Sequence, residues 1–375
     1  MQYREKLNHI PDTLLSLTDY ERVAEDFIPP DVYTYICAGV ADEITLTNNA
    51  QAFAQYSIVP RLLTSFSQAN SHCQLFGQPL PQPIMLAPVA HHALVHPQAE
   101  IATAEGADAV DTPMVASTLS SRSLEDIAAA TRGPKWFQLY FQRRREDTAE
   151  LLERAERAGF KAIVVTADAP ISGLRTRIQR SGFQGPSALD TENLKNMEPA
   201  PVRELEVGQS VILNGMMSEA PTWDELAWLR TKTQLPLLLK GVLHPEDAAH
   251  AQAIGLDGVI VSNHGGRTLD GIPASIDVLP AIRERVGGVF PLLLDSGIRR
   301  GTDVFVALAR GANAVLVGRP QLYALSIAGA LGVAHMLKLL QDELHVAMAL
   351  AGCATLDDVR HATIRHQITA NQHLW

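Results

Sequence analysis

Short apolar runs recur along the chain, separated by stretches that alternate polar and apolar positions with a helical period. The runs are Ile84–Ala87, Met114–Ala116, Phe137–Leu139, Ala162–Val165, Leu237–Leu239, Val259–Val261, Leu292–Leu294 and Ala314–Val317. Continuous apolar runs of this length suit strands buried on both faces, as in a parallel sheet. The stretches between them carry helix signals. Asp147–Ala158 opens on an acidic capping residue, Pro245–Ile254 opens on proline, and Thr302–Arg310 stops at Gly311. Eight strand–helix repeats predict a closed (β/α)8 barrel; a doubly wound open sheet shows the same alternation, so the count decides.

Two segments exceed a minimal barrel. Residues 1–80 precede the first run and are expected to form a helical extension that covers the bottom of the barrel and flanks the site. The fourth and fifth runs are separated by a long, mostly polar insertion, and residues 176–225 are expected to form a lid. The whole chain, 1–375, then reads as one domain, with the barrel over 81–350.

Composition narrows the class. With 375 residues, 46% hydrophobic and 19% charged, the chain can bury a large core. Net charge is 31 − 41 = −10, which argues against a general nucleic-acid binder. Three widely spaced cysteines imply neither a disulfide framework nor a zinc knuckle. The opening MQYREKLNH is charged rather than apolar, and Leu62–Ala99, although free of Asp, Glu, Lys and Arg, is broken by prolines. A cytoplasmic protein without a membrane span is the expectation.

In a barrel the chemistry gathers at the carboxyl ends of the strands. Directly after the runs stand Pro88-Val89-Ala90, Ser117, Gln138 and Tyr140, Thr166 and Asp168, Lys240, Ser262-Asn263-His264, Asp295-Ser296-Gly297 and Gly318-Arg319. Loop residues explain any one of these, but not polar or backbone-exposing chemistry at every strand end. The segments DSGIRRG at 295–301 and Gly318-Arg319-Pro320 follow the seventh and eighth runs, where barrels commonly hold phosphate. Lys240, on an apolar strand, needs an anionic partner, either a carboxylate or a cofactor. On the glycine-rich loop, His264 can take a proton near neutral pH and Arg267 can clamp a carboxylate. Asp168 can orient that histidine, and Arg175 offers a second guanidinium. His91, His92 and His96 lack a carboxylate or cysteine at ligand spacing, so no metal is expected. The run Arg143–Glu146 reads as a solvated helix entrance, and no G-x-G-x-x-G follows a strand, which disfavours NAD.

The motifs SNHGGRTLD at 262–270, DSGIRRGTDV at 295–304 and WFQLY at 136–140, with PIMLAPVAHHALVHP, TADAPISGLR and VLVGRP in support, resemble a known family. It is the FMN-dependent (S)-2-hydroxy-acid oxidase and dehydrogenase family, which includes glycolate oxidase, lactate oxidase and mandelate dehydrogenase. The resemblance runs from about Tyr20 to about Cys353 and is nearest to lactate oxidases through Ala90, Ser172-Gly173 with Arg175, and His244–Asp247.

The resemblance implies roles. His264 is expected as the base, paired with Asp168, and Arg175, Arg267 and Tyr35 as holders of the substrate carboxylate. Tyr140 is expected to bond the hydroxyl. FMN is expected on Pro88, Val89, Ala90, Ser117, Gln138, Thr166, Lys240 and Ser262. Its phosphate is expected at Asp295, Ser296, Gly297 and Arg299 and at Gly318 and Arg319. The reaction implied is oxidation of a 2-hydroxy acid, L-lactate first, with oxygen as acceptor and hydrogen peroxide as product, in a homo-oligomer such as a tetramer. Three alternatives stay open: a quinone or carrier protein as acceptor, a bulkier acid such as mandelate, and a flavin-binding protein without turnover. Departures bear on the substrate. Ile178–Ser181 replaces the family's usual charged stretch, Leu119 stands where plant-type glycolate oxidases have tryptophan, and residues 184–221 contain no aromatic residue.

Overall fold

The computed structural model describes residues 5–185, 191–197 and 205–367. Parts of the expected lid, at 186–190 and 198–204, therefore lie outside the described residues. Eight parallel strands close into a barrel: β1 (Ile84–Leu86), β2 (Met114–Ser117), β3 (Lys135–Leu139), β4 (Ile163–Thr166), β5 (Leu237–Val242), β6 (Gly258–Val261), β7 (Leu292–Leu294) and β8 (Ala314–Val317). Each strand pairs with its sequence neighbour, and β8 pairs with β1 through Val315 and Ile84.

The strands read as continuous apolar runs because both faces are covered. Met85, Val115, Trp136, Val164, Leu238, Ile260, Leu293 and Leu316 form one inner cluster. Their neighbours Leu86, Ala116, Phe137, Val165, Leu239, Val261, Leu294 and Val317 belong to the outer cluster beneath the helices. The period of two along each strand sorts the residues between these layers.

The amino-terminal segment differs from the expectation that its helices cover the bottom of the barrel. That end is closed by a hairpin, Cys73–Leu75 with Gln78–Leu80, whose Leu75 and Leu80 join the inner cluster. Its Phe76 lies 5.6 Å from the Trp136 ring. Helices Pro30–Cys37 and Ile44–Phe53 instead sit at the carboxyl ends of the strands, beside the loop after β6. A hairpin suits the bottom because Leu75 and Leu80 fall on the same face of a two-stranded ribbon and can fill the barrel mouth.

Helix Arg145–Arg157 starts earlier than its sequence pattern predicts. Asp147 lies inside the first turn, where its carboxylate accepts from Arg144 at 2.6 Å, so it complements the helix dipole rather than capping it. Arg143 and Arg145 likewise pair with Glu219 and Glu225, so the arginine run is an ion-paired helix entrance. The final long helix, Pro320–Ala351, is apolar and long enough by composition to cross a membrane. However, 67% of its apolar window is buried, and Ala328 and Gly329 interrupt it. It packs against helices Leu17–Ala24, Glu100–Asp108 and Gly301–Ala309.

Candidate active site

One step further along the inward-facing row, the side chains become polar. Beyond Val115 stands Ser117, and Gln138, Thr166, Lys240, Ser262 and Asp295 follow Trp136, Val164, Leu238, Ile260 and Leu293 in the same way. The strand period that builds the core therefore also delivers these groups to one level, at the floor of a cavity. That cavity holds about 1130 Å³ with its open mouth included.

Apart from Asp168 and Ser262, every site residue expected from the sequence lines this cavity. Both exceptions lie directly behind it. Asp168 Oδ1 is 2.9 Å from His264 Nδ1, and Ser262 Oγ accepts from Lys240 Nζ at 2.9 Å.

The backbone that presents His264 is unusual. His264, Gly265 and Gly266 all have positive φ, at 57°, 65° and 70°. A Cβ on Gly266 would lie 2.7 Å from the Leu46 amide nitrogen, so only glycine lets the loop pass the amino-terminal helix. The carboxylate partner has a matching requirement: a Cβ on Gly241 would sit 2.4 Å from Asp168 Cβ.

Electrostatics divide the cavity. Burial lowers the pKa of His264, and the opposing effect of Asp168 does not outweigh it, so the imidazole rests neutral at pH 7. With Nδ1 held by Asp168, Nε2 is the nitrogen left for the cavity. Burial pushes the Tyr140 phenol up to about 12, which keeps it a neutral donor. Lys240 is buried; desolvation opposes its charge, but Asp295 at 3.1 Å, together with Asp168, outweighs it and the shift is upward.

The guanidiniums are held by backbone. Arg267 Nη1 donates to the carbonyls of Tyr35, Ile36 and Ala38 at 2.9–3.0 Å, and its guanidinium lies 5.2 Å from the Tyr35 ring. Arg319 donates to the carbonyls of Ile36, Gly265 and Ala38. Burial, reinforced by Arg175 and Arg319, depresses Arg267 to about 9. Among the described residues no carboxylate pairs with Arg175, Arg267 or Arg319. Carbonyls orient these cations without neutralising them, which leaves the cavity with unspent positive charge.

Asp295 lines the cavity as an ion-paired carboxylate. Its carboxylate is engaged by Lys240 and by the Ser296 hydroxyl at 2.8 Å. Paired with Lys240, it belongs to the cavity floor. Ser296, Gly297, Arg299, Gly318 and Arg319 line the cavity beside it, with Gly318 and Arg319 leading into helix Pro320–Ala351.

The sequence reading missed several contributors. Asn49 exchanges two hydrogen bonds with Asn263, Glu21 reaches Arg299 at 3.3 Å, and the carbonyls of Ile36 and Ala38 hold both arginines. The only available signal was a polar residue at a buried helical position, and Asn49 alone carries it. His91, His92 and His96 do not converge: His92 Nδ1 is 2.8 Å from Thr103 Oγ1, and His96 Nδ1 accepts from the Gln98 amide. Among the described residues no group of three or more His, Cys, Asp or Glu side chains is arranged to hold a metal ion.

A closed barrel with a buried lysine on its floor, free guanidiniums on its walls and a His–Asp dyad at its mouth defines a class. It is a barrel whose site can hold an anionic group and a carboxylate beside a proton-accepting histidine. Comparison with known proteins gives the family. Residues 24–366 match the FMN-dependent dehydrogenase family, and the chain belongs to it. It is 51% identical to an L-lactate oxidase of Alicycliphilus denitrificans over 358 residues, covering 95% of this chain and 98% of that one. It is 41% identical to a 2-hydroxyacid oxidase of Dictyostelium discoideum over 367 residues, covering 98% and 94%. A crystal structure of mandelate oxidase with (S)-2-phenylpropionate superposes with a TM-score of 0.86 at 39% identity, covering 95% of this chain and all of that one.

The residues present fit FMN, the cofactor of this family. Gln138 Oε1 accepts from Ser117 Oγ and the Thr118 amide, which leaves Gln138 Nε2 a buried donor with no acceptor among the described residues. Such a group calls for a bound acceptor. Pro88, Val89, Ala90, Ser117, Gln138, Thr166 and Lys240 would hold the ring system, and the segments after β7 and β8 the phosphate.

Proposed function

We propose that this protein oxidises a small (S)-2-hydroxy acid, L-lactate first, to the 2-oxo acid, with oxygen as electron acceptor. The observation that carries the reading is the His264–Asp168 dyad, at 2.9 Å, facing the same cavity as the unneutralised Arg175 and Arg267. The L-lactate oxidase relative at 51% identity supports the choice of acid. FMN, when bound, would supply the two-electron redox chemistry, taking up the α-hydride and passing the electron pair to oxygen as hydrogen peroxide.

The chain does the rest. Arg267 and Arg175 bind the substrate carboxylate, Arg267 with its Nη1 already fixed by three carbonyls, so little orientation is lost on binding. Tyr140, kept neutral by burial, donates to the substrate oxygen. His264 Nε2 takes the hydroxyl proton, and Asp168 stabilises the imidazolium that forms. Lys240 places positive charge on the cavity floor, where it offsets negative charge that develops during the reaction.

A second reading, a bulkier acid such as mandelate, is favoured by one observation. Val89 and Leu119 give the cavity aliphatic walls, while Ile212, Leu213, Met216 and Met217 are exposed and do not line it. The exposed Leu62, Leu63, Val346 and Leu350 support a homo-oligomer, a tetramer first, which light scattering measures. The functional reading is tested by anaerobic bleaching of the bound flavin with a panel of 2-hydroxy acids. Bleaching by L-lactate supports it, and no bleaching by any of them overturns it.

A further inference from the structure

Glu100 is the first residue of helix Glu100–Asp108 and is completely buried, yet it takes no part in the chemistry described above. Its Oε1 accepts from the His92 amide and from the Ser121 amide, each at 3.0 Å. Those amides belong to different loops. His92 follows β1, on the loop that carries Pro88, Val89 and Ala90; Ser121 follows β2, on the loop that carries Leu119. One carboxylate oxygen thus ties together the two loops that bring Val89 and Leu119 to the cavity.

The same seam has further ties. The His91 amide donates to the Leu119 carbonyl at 3.2 Å, and the Ala93 amide donates to Ser121 Oγ at 3.2 Å. The loop after β2 is also held from its far side, where Asn193 Nδ2 reaches the Ser117 and Thr118 carbonyls. Without Glu100 that loop keeps its outer anchor and loses its shared inner tie to the loop after β1. The other oxygen, Oε2, is buried without a hydrogen-bond partner among the described residues. An acid kept in such a place is held there by what Oε1 does.

We infer that Glu100 is a positioning residue that sets the width of the substrate side-chain pocket by fixing the Val89 loop against the Leu119 loop. The inference rests on the hydroxy-acid reading, since the pocket matters only if a side chain enters it. It requires an sp² oxygen at Oε1, not a negative charge, so Glu100→Gln should preserve it and Glu100→Ala should not.

The test measures kcat/KM for L-lactate and for mandelate on wild type, Glu100→Gln, Glu100→Ala and Ser121→Ala, alongside the visible spectrum of the bound flavin. Glu100→Ala should change the mandelate-to-lactate ratio by about tenfold, because small displacements at a reacting centre have large kinetic effects. Glu100→Gln should restore the ratio to within about twofold of wild type, since it keeps both accepting bonds. Ser121→Ala removes only the Ala93 tie and should shift the ratio in the same direction as Glu100→Ala, by less. If Glu100→Ala binds flavin but loses activity equally on both acids, the inference is overturned. If that variant does not fold, an unchanged ratio in Ser121→Ala overturns it instead. Wild type inactive on every 2-hydroxy acid would sink the functional reading, whereas an active wild type with unshifted ratios sinks this inference alone.

Discussion

Asn49 and Asn263 exchange a pair of side-chain hydrogen bonds, Nδ2 to Oδ1 in each direction, at 2.9 and 2.6 Å. Both are buried, and Asn263 Oδ1 also accepts from the Gly266 amide at 3.1 Å. The pair joins helix Ile44–Phe53 to the loop that carries His264. The two amides complete it because each side chain both donates and accepts.

Replacing Asn49 by Leu should therefore destabilise the fold by about 1–3 kcal/mol, the usual cost of leaving buried polar partners unmade. It should also lower kcat/KM, since the His264 loop loses its anchor. Asn49→Asp should do comparable harm, because a carboxylate accepts but cannot donate to Asn263. Urea unfolding followed by fluorescence, with kinetics on the same samples, checks both. A change under 0.5 kcal/mol with unaltered kinetics would leave the pair without the role given to it.

That pair also marks where the sequence stopped being readable. Asn263 lay beside His264 and Arg267 in a motif that resembles a family, and it followed an apolar run, so local pattern exposed it. Asn49 lies more than two hundred positions away on a helix whose other residues show nothing unusual, and only tertiary packing joins the two. The barrel was legible because strands covered on both faces must be apolar, and the floor of the site because it continues the inward row by two residues. The hairpin under the barrel and the carbonyls of Ile36 and Ala38 were not. A short ribbon has weak periodicity, and a backbone carbonyl leaves no trace in residue type.

His264→Gln should keep the flavin and lose about 10²- to 10⁴-fold in kcat, because a positioned base is removed while the cofactor contacts persist. Asp168→Asn should also be slow, since an amide orients Nδ1 but does not stabilise the imidazolium. Stopped-flow reduction of the flavin by L-lactate measures both. Reduction within about threefold of wild type in His264→Gln would refute its assignment as base.

The pH dependence has a definite sign. Burial lowers the His264 pKa from 6.5, so the acidic limb of kcat/KM should fall below pH 6.5. Asp168 opposes that depression, so Asp168→Asn should move the limb to still lower pH. Folding stability is linked in the same sense. Below 6.5 the unfolded chain binds a proton that the buried imidazole resists, so this residue lowers stability as pH falls through that range. A limb at or above pH 7 in the wild type would contradict the depressed value.

Arg267→Lys should reduce kcat/KM for every 2-hydroxy acid, and by more than a surface lysine replacement would. The native Nη1 spends its hydrogen bonds on Tyr35, Ile36 and Ala38, which frees the rest of the fork for substrate. One ammonium cannot satisfy three carbonyls and still make a planar two-bond grip on a carboxylate. The loss should reach about 10²-fold, seen mainly in KM if the grip is uniform and in kcat if it tightens in the transition state. Unchanged kinetics would place the carboxylate elsewhere.

Substrate size separates the two acids considered for this site. Val89 and Leu119 line the cavity, and no aromatic residue stands between 184 and 221 to cap it. Ile212, Leu213, Met216 and Met217, the apolar cluster of that segment, are 45%, 70%, 55% and 38% exposed, and none lines the cavity. They therefore neither pack into the barrel nor close the pocket. An open, aliphatic wall rewards longer side chains, at about 0.8 kcal/mol per buried methylene. A series from glycolate through L-lactate and 2-hydroxybutyrate to mandelate should show kcat/KM holding or rising beyond lactate. Leu119→Trp should then cut mandelate far more than lactate, because the indole fills the space that the phenyl ring needs. A wild-type peak at lactate with a steep fall beyond it would instead mean a tight pocket, and Leu119→Trp would then depress lactate as well.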